Sequence, residues 1–226
     1  MVQAAKKRKK IGLLGGTFDP VHNGHLAVAN HVRHALKLDS IWFIPAAHPP
    51  HKAGHADGRE ISGFAHRIAM LEGALAGNST FVISDIEAKR NSPSYSIDTI
   101  KLLIPRLGEN AALFFIIGAD AFLEIETWKQ YQELPNLVHF VVISRPAYSP
   151  GKVGEVIGRN FSGFRYDPAR EIWSSSSSKG TFILLHMEPV PISSTEIRDR
   201  VRKGKEIKGI VPPVVENYIR RHHLYI

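Results

Sequence analysis

The stretch "IGLLGGTFDPVHNGHL", residues 11–26, joins a short apolar run to two glycines, a threonine and two histidines set three residues apart. A continuously apolar run that stops at glycine reads as a buried strand, and the apolar residues that recur from Leu26 onward read as one face of a helix. The segment is therefore a strand, a loop and a helix. In an open parallel sheet, ligands bind where the strand ends and the loop turns into the helix. Gly15 and Gly16 let a phosphate approach the backbone, and Thr17 offers a hydroxyl. The helix that starts near Gly24 presents its first amides to the same place. These features describe an anion site, although glycine-rich turns also occur simply to turn the chain. Neither G-x-G-x-x-G nor G-x-x-x-x-G-K-[ST] is present in the stretch, so it is neither a dinucleotide fingerprint nor a P-loop.

Working outward, the alternation repeats. Apolar runs at 11–14, 41–44, 81–86, 113–117, 140–143 and 182–185 read as buried parallel strands. Helical patterns fall at 26–36, 64–76, 97–107 and 121–134. Strand and helix in turn imply βαβ units, hence an α/β fold with a twisted, doubly wound parallel sheet and helices on both faces. Pro105 is expected to interrupt or end the third helix, because it lacks a donor and clashes with the preceding turn. The 146–180 stretch, rich in Pro and Gly and carrying "SSSSS", reads as an irregular insertion. A small helical region closes the chain. The expected organisation is a basic disordered tail over 1–10 and a single domain over 11–226.

With 43% hydrophobic and 22% charged residues in 226, the chain is of globular composition. It has no cysteine, so disulfides and thiolate metal sites are excluded and a reducing, cytoplasmic setting is expected. No apolar run approaches the ~20 residues that span a bilayer, so no membrane partner is expected. The net charge is +8, but Lys6, Lys7, Arg8, Lys9 and Lys10 supply five of those charges. The excess is mostly a solvated tail, and a nucleic-acid partner is not expected from it.

His22 and His25 lie at the helix entrance, where two imidazoles can donate hydrogen bonds to phosphate oxygens or, if protonated, neutralise charge. A metal reading is disfavoured, because "HNGH" lacks the glutamate of HExxH and zinc usually takes a third protein ligand. Near the other end, "ISSTEIR", residues 192–198, pairs Ser193 with Glu196 as a capping box. The same segment offers Ser194, helix amides and Arg198, which together can hold a polyphosphate. Both readings can hold at once.

"GGTFDPVHNGHL", "PPHK", "HRIAMLE", "SYSIDT", "FIIGADAF", "TWKQ", "VVISRP" and "ISSTEIR" occur in this order. Together they closely resemble the bacterial nicotinate-nucleotide adenylyltransferases, members of the nucleotidyltransferase superfamily with the (T/H)xGH signature. The resemblance runs from about Ile11 to the end of the chain and leaves out the tail and the serine run. It implies a Rossmann-like fold and adenylyl transfer from ATP to nicotinate mononucleotide, giving deamido-NAD and pyrophosphate with Mg²⁺ accompanying ATP. It also implies His22, His25 and Arg198 as catalytic residues. Gly15, Gly16, Thr17, Phe18, Lys52, Gly118, Asp120, Ser193 and Ser194 would join them around ATP, with no resident metal. Ser96, Trp128, Lys129 and Arg145 would serve the mononucleotide.

Several of these positions have plainer explanations. Lys52 can be a solvent-exposed lysine, Asp120 an N-cap for the next helix and Arg145 the end of a strand. Trp128, in an amphipathic helix, can be core. Two positions depart from the family: Ser96 stands where threonine is common, and Lys129 follows Trp128 where many relatives carry tyrosine. Other branches of the superfamily, such as pantetheine-phosphate adenylyltransferases and cytidylyltransferases, share the histidine motif but leave "SYSIDT" and "TW" unexplained. A homo-oligomer is compatible with the sequence.

Overall fold

A computed structural model describes residues 8–49, 61–108, 110–144, 150–188 and 190–226. In chain order its elements are β1 (Lys9–Gly16), α1 (Asn23–Ala35), β2 (Ser40–Pro45), α2 (Phe64–Leu75), β3 (Phe81–Ile83), α3 (Ser96–Leu107), β4 (Ala111–Gly118), α4 (Ala119–Leu123), β5 (His139–Ser144), α5 (Pro150–Asn160), β6 (Arg165–Asp167), β7 (Ile172–Ser174), β8 (Phe182–His186), α6 (Ser194–Arg202) and α7 (Pro213–Arg221). Two compact units share them. The first comprises Met1–Leu14, Val32–Ile41 and Tyr95–Pro189; the second comprises Gly15–His31, Trp42–Ser94 and Val190–Ile226.

In the first unit the strands run in the order β1, β4, β5, β8, β7, β6. β1, β4, β5 and β8 are parallel, whereas β7 and β6 join antiparallel. The register sets Leu13 against Phe115, Phe115 against Phe140 and Phe140 against Phe182. One aromatic row thus crosses the parallel ladder, and the Phe140 and Phe182 rings stack at 5.1 Å. β4 is buried from Ala112 to Ile117, as a strand covered on both faces must be. This is the mostly parallel α/β sheet that the alternation of patterns implies.

In the second unit Phe43 on β2 accepts from the amide of Ser84 and packs its ring 5.3 Å from that of Phe81. α2 lies against α7, where Gly73 leaves room for Val214 and His66 Nδ1 sits 3.1 Å from the Tyr218 hydroxyl. α6 and α7 are the expected closing helices.

Four readings of the sequence are corrected. β1 begins at Lys9, so the last two tail residues are strand: Lys9 donates to the Asn110 carbonyl and Lys10 to Asp39 Oδ2. Residues 1–7 lie outside the described residues. The expected helix over 121–134 is α4 followed by two 3-10 turns, Ile125–Thr127 and Tyr131–Asn136. Gln130 is left-handed (φ 50) and Pro135 has no donor, so a continuous ladder cannot form, while Ile125 and Leu134 are buried all the same. The apolar spacing there recorded burial without helix. β3 stops at Ile83, and the third helix continues two residues beyond Pro105 until Gly108 (φ 77) ends it.

From residue 150 onward the 146–180 stretch is not irregular, and its first four residues lie outside the described residues. It carries α5, β6 and β7, and it buries Val153, Val156, Ile157, Phe161 and Trp173. At the end of the serine run, Ser178 Oγ and, two residues on, the Gly180 amide both donate to the Pro135 carbonyl, at 2.8 and 2.9 Å. A Cβ at Gly180 would collide with the Val138 and Pro135 carbonyl oxygens, so only glycine permits this approach.

Candidate active site

β1 delivers Gly15 and Gly16 to its carboxyl end, and the Gly16 carbonyl accepts from the Ala46 amide at 2.9 Å. A Cβ built at Gly15 would meet no atom within 4 Å. Packing therefore does not demand glycine there, and the bare backbone faces open space. Beyond it the chain forms a loop, 17–22, between β1 and α1. Phe18 is left-handed (φ 52), a conformation that a bulky L-residue adopts only when its surroundings hold it, and its ring is buried edge-on to His25 at 4.9 Å. The Asp19–Pro20 peptide is cis.

Side chains from other segments hold this loop. The buried Arg67 guanidinium on α2 donates to the carbonyls of Thr17 and Ala46, both at 2.8 Å, and to that of Ser62 at 3.0 Å. Arg198 on α6 donates to the Asp19 carbonyl at 2.7 Å, and Ser194 Oγ donates to the Pro20 carbonyl at 2.9 Å. The Asp19 carboxylate, 3% exposed, accepts from the Ser62 amide at 3.3 Å and from the Tyr225 hydroxyl at 2.6 Å. Burial in turn lowers the pKa of Arg67, against the pull of Asp19, Tyr225 and Glu87, which favour its charge.

α1 begins at Asn23, whose amide donates to the Ile210 carbonyl and whose side chain donates to the Gly209 carbonyl. The His22 and His25 rings stack at 3.7 Å, and the His22 amide donates to His25 Nδ1 at 3.3 Å. With Nδ1 an acceptor, the neutral His25 ring carries its proton on Nε2. His22 is buried, its Nδ1 has no hydrogen-bond partner among the described residues, and burial lowers its pKa to about 4. It is neutral at pH 7, so of the two roles open to it the charged one is removed. Gly24 accommodates this ring: a Cβ there would lie 3.0 Å from His22 Nδ1.

The second unit thus brings Gly15, Gly16, Thr17, Phe18, His22, His25, Ser193, Ser194 and Arg198 into one continuous body. Ser193 caps α6 as the sequence implies, its Oγ accepting from the Glu196 amide at 3.1 Å. The Glu196 carboxylate binds Arg200 through Nε and a terminal nitrogen, at 2.9 and 2.8 Å. Ser194 and Arg198 hold the loop that carries the histidines, a role that the motif did not announce.

The first unit contains the remaining candidates. Gly118 precedes α4, and Asp120 is an exposed residue of its first turn. The N-cap position belongs to Gly118, so the capping reading of Asp120 is corrected. Ser96 is the first residue of α3. Trp128 follows a 3-10 turn in extended conformation and is half-buried, with its ring edge-on to Phe115 at 6.0 Å; it is not in an amphipathic helix. Lys129 Nζ binds both Asp98 oxygens, at 2.9 and 3.2 Å, and lies 5.0 Å from the centre of the Tyr95 ring. Lys52 and Arg145 lie outside the described residues.

Three residues that build the site went unread in the sequence. Arg67 carries a recoverable signal, a cation at helical spacing among Phe64, Met70 and Leu71, which marks a buried charge seeking carbonyls. Asp19 and Tyr225 are 206 positions apart, and no local pattern joins them.

The chain matches the family model described as cytidylyltransferase-like over residues 13–200. It is 41% identical over 220 residues to a protein of Geotalea daltonii, across 96% of this chain and 98% of that one. It is 40% identical over 218 residues to a protein of Geobacter sp. (strain M21), with the same coverage. Both are named "Probable nicotinate-nucleotide adenylyltransferase". Among solved structures, Plasmodium falciparum nicotinic acid mononucleotide adenylyltransferase complexed with NaAD has a TM-score of 0.72 at 21% identity, covering 96% of this chain and 97% of that one. At that identity the likeness bears on the fold.

Proposed function

The chain belongs to the nicotinate-nucleotide adenylyltransferase family, and from that premise we infer how its residues carry the reaction. The enzyme transfers the adenylyl group of ATP to nicotinate mononucleotide, giving nicotinate adenine dinucleotide and pyrophosphate, a step of NAD biosynthesis. A 5′-phosphate oxygen of the mononucleotide forms a bond to the α-phosphorus of ATP as the bond from that phosphorus to the bridging oxygen breaks, and the β and γ phosphates leave as pyrophosphate.

The observation that carries the residue assignment is the stacked His22–His25 pair in the same compact unit as the uncovered backbone of Gly15. The α-phosphate would approach at Gly15 and Gly16 with Thr17 and Phe18 lining the loop, and His25 would donate from Nε2 as charge develops there. His22, neutral and stacked behind it, fixes the tautomer of His25 through its backbone amide. Arg198, with Ser194 and the cap of α6, would receive the β and γ phosphates, since the donors Arg198 does not spend on Asp19 and Thr195 remain for an anion. Such a site works by positioning and charge neutralisation and needs no covalent intermediate.

In the first unit, Gly118 and Asp120 are assigned to the ATP ribose, and Ser96, Trp128 and Lys129 to the mononucleotide. Lys52 and Arg145 keep the ATP and mononucleotide assignments made from their motifs. Mg²⁺ is assigned to the triphosphate as its counterion, where it would offset charge. Among the described residues no group of three His, Asp or Glu side chains could hold a metal ion. Among them also, no helix is long and apolar enough to cross a membrane, and with no cysteine in the chain a cytoplasmic setting is proposed.

Pyrophosphate release is the test. The protein is incubated with Mg²⁺ and ATP or CTP against nicotinate mononucleotide, nicotinamide mononucleotide and 4′-phosphopantetheine. Release with ATP and nicotinate mononucleotide far above the other pairs is expected, and a preference for CTP or phosphopantetheine would overturn the assignment.

A further inference from the structure

We propose that Tyr225 is a positioning residue for this reaction: its hydroxyl, by fixing the buried Asp19 carboxylate, sets the loop on which Arg198 and the His22–His25 pair depend. The inference rests on the phosphate assignment above and names a residue that none of the motifs contains.

The loop cannot hold its own shape. Its Thr17, Asp19 and Pro20 carbonyls are taken by Arg67, Ser194 and Arg198, and between them Phe18 is left-handed. Asp19 is gripped twice. Its carbonyl accepts from Arg198 at 2.7 Å, and its carboxylate accepts from Tyr225 at 2.6 Å and, more weakly, from the Ser62 amide at 3.3 Å. The phenol donates to an anion in a nearly dry site, which is the stronger kind of hydrogen bond. Arg198 is thus one residue removed from Tyr225, through Asp19.

The chain after α7 is bent to make this contact. His223 (φ 48) and Tyr225 (φ 67) are both left-handed and bracket Leu224, whose amide returns to the Ile219 carbonyl at 3.1 Å. Two non-glycine residues in that region are a cost that the local sequence does not explain, and the contact it secures is with Asp19. Burial and the neighbouring carboxylate both push the Tyr225 phenol above its ordinary range, so it remains a donor at any working pH.

The test compares wild type, Tyr225→Phe, Arg198→Ala and the double variant by calorimetric binding of pyrophosphate and by steady-state kinetics. Tyr225→Phe keeps the ring, so its fold should survive. It should raise the pyrophosphate Kd and the ATP KM together by about tenfold, the scale of one charge-assisted hydrogen bond, and leave the mononucleotide KM within about twofold. In the double variant the effect should be smaller than the product of the single ones, because both act through Asp19. A merely structural tyrosine would lower the melting temperature and move neither ratio. Unchanged pyrophosphate binding in Tyr225→Phe, or independent effects in the double variant, overturns the proposal while wild-type turnover upholds the reaction. Wild type that neither turns over nor binds pyrophosphate overturns both.

Discussion

Lowering the pH from 7 towards 4 should weaken the fold through His22. In the unfolded chain this imidazole titrates near its ordinary 6.5, whereas in the folded protein burial takes it to about 4. Above pH 6.5 the ring is neutral in both states and the full stability is present. Between 6.5 and about 4 the unfolded chain binds a proton that the folded one refuses, so stability falls with pH, and below 4 the loss is complete. The gap, at about 1.36 kcal/mol for each pH unit, amounts to about 3 kcal/mol. The cause is visible in the site: the ring is stacked on His25, its Nδ1 has no partner among the described residues, and Gly24 closes over it. The chain has 12 histidines, so the measurement must be a difference. Urea denaturation of wild type and His22→Gln is followed at pH 7, 6, 5 and 4. The gap in unfolding free energy between them should shift by about 3 kcal/mol in favour of the variant over that range. A gap that stays constant with pH would show that His22 takes up its proton as easily when folded, and the dry, neutral imidazole would be refuted.

Three further outcomes are expected. Arg198→Ala should weaken ATP binding and pyrophosphate inhibition together by about 10- to 100-fold, as a charged donor lost from one set of oxygens, whereas Ser193→Ala should cost about 1 kcal/mol of stability as a lost cap; titration with pyrophosphate and urea melts separate the two. Gly180→Ala should destabilise by about 3 kcal/mol, lowering the melting temperature by roughly 9 °C, because backbone carbonyls of Pro135 and Val138 cannot swing away from the new methyl; scanning calorimetry checks it. Lys129→Ala should leave the ratio of kcat/KM for nicotinate over nicotinamide mononucleotide within about threefold of wild type, since Asp98 holds the ammonium at the mononucleotide site; a collapse of the ratio would show that the ammonium reads the ligand's carboxylate directly.

The sheet was legible in the sequence because parallel strands buried on both faces, such as Phe114–Ile117, leave continuous apolar runs that alternate with helical patterns. The region after β4 was not. Phe122 and Ile125 stand at helical spacing and Leu134 is apolar beyond them because all three are buried, but Gln130 and Pro135 break the backbone, and periodicity reports burial before it reports hydrogen bonding. The insertion misled in the opposite direction: its serines and glycines hide five apolar anchors spread over α5 and β7 and their connection. In the site, the motif residues could be read as a set because their chemistry is local, two histidines at one helix entrance and a serine cap one turn before an arginine. What holds them could not, because Arg67, Asp19 and Tyr225 meet only after folding.

The separation between residues that bind and residues that hold is itself incomplete, and Arg198 shows why. Its guanidinium spends one donor on the Asp19 carbonyl and another on Thr195 Oγ1, while Ser194 spends its hydroxyl on Pro20. On the phosphate assignment proposed above, a triphosphate would meet groups already oriented by the loop, and so would lose less freedom on binding than flexible side chains would cost. The dependence must run both ways: whatever draws Arg198 or Ser194 towards phosphate alters the grip on Asp19 and Pro20, and with it the position of His22 two residues on. The histidine end and the arginine end of the site are therefore linked through the 19–20 backbone. A substitution at either end should change affinity at the other, as two independent phosphate subsites would not.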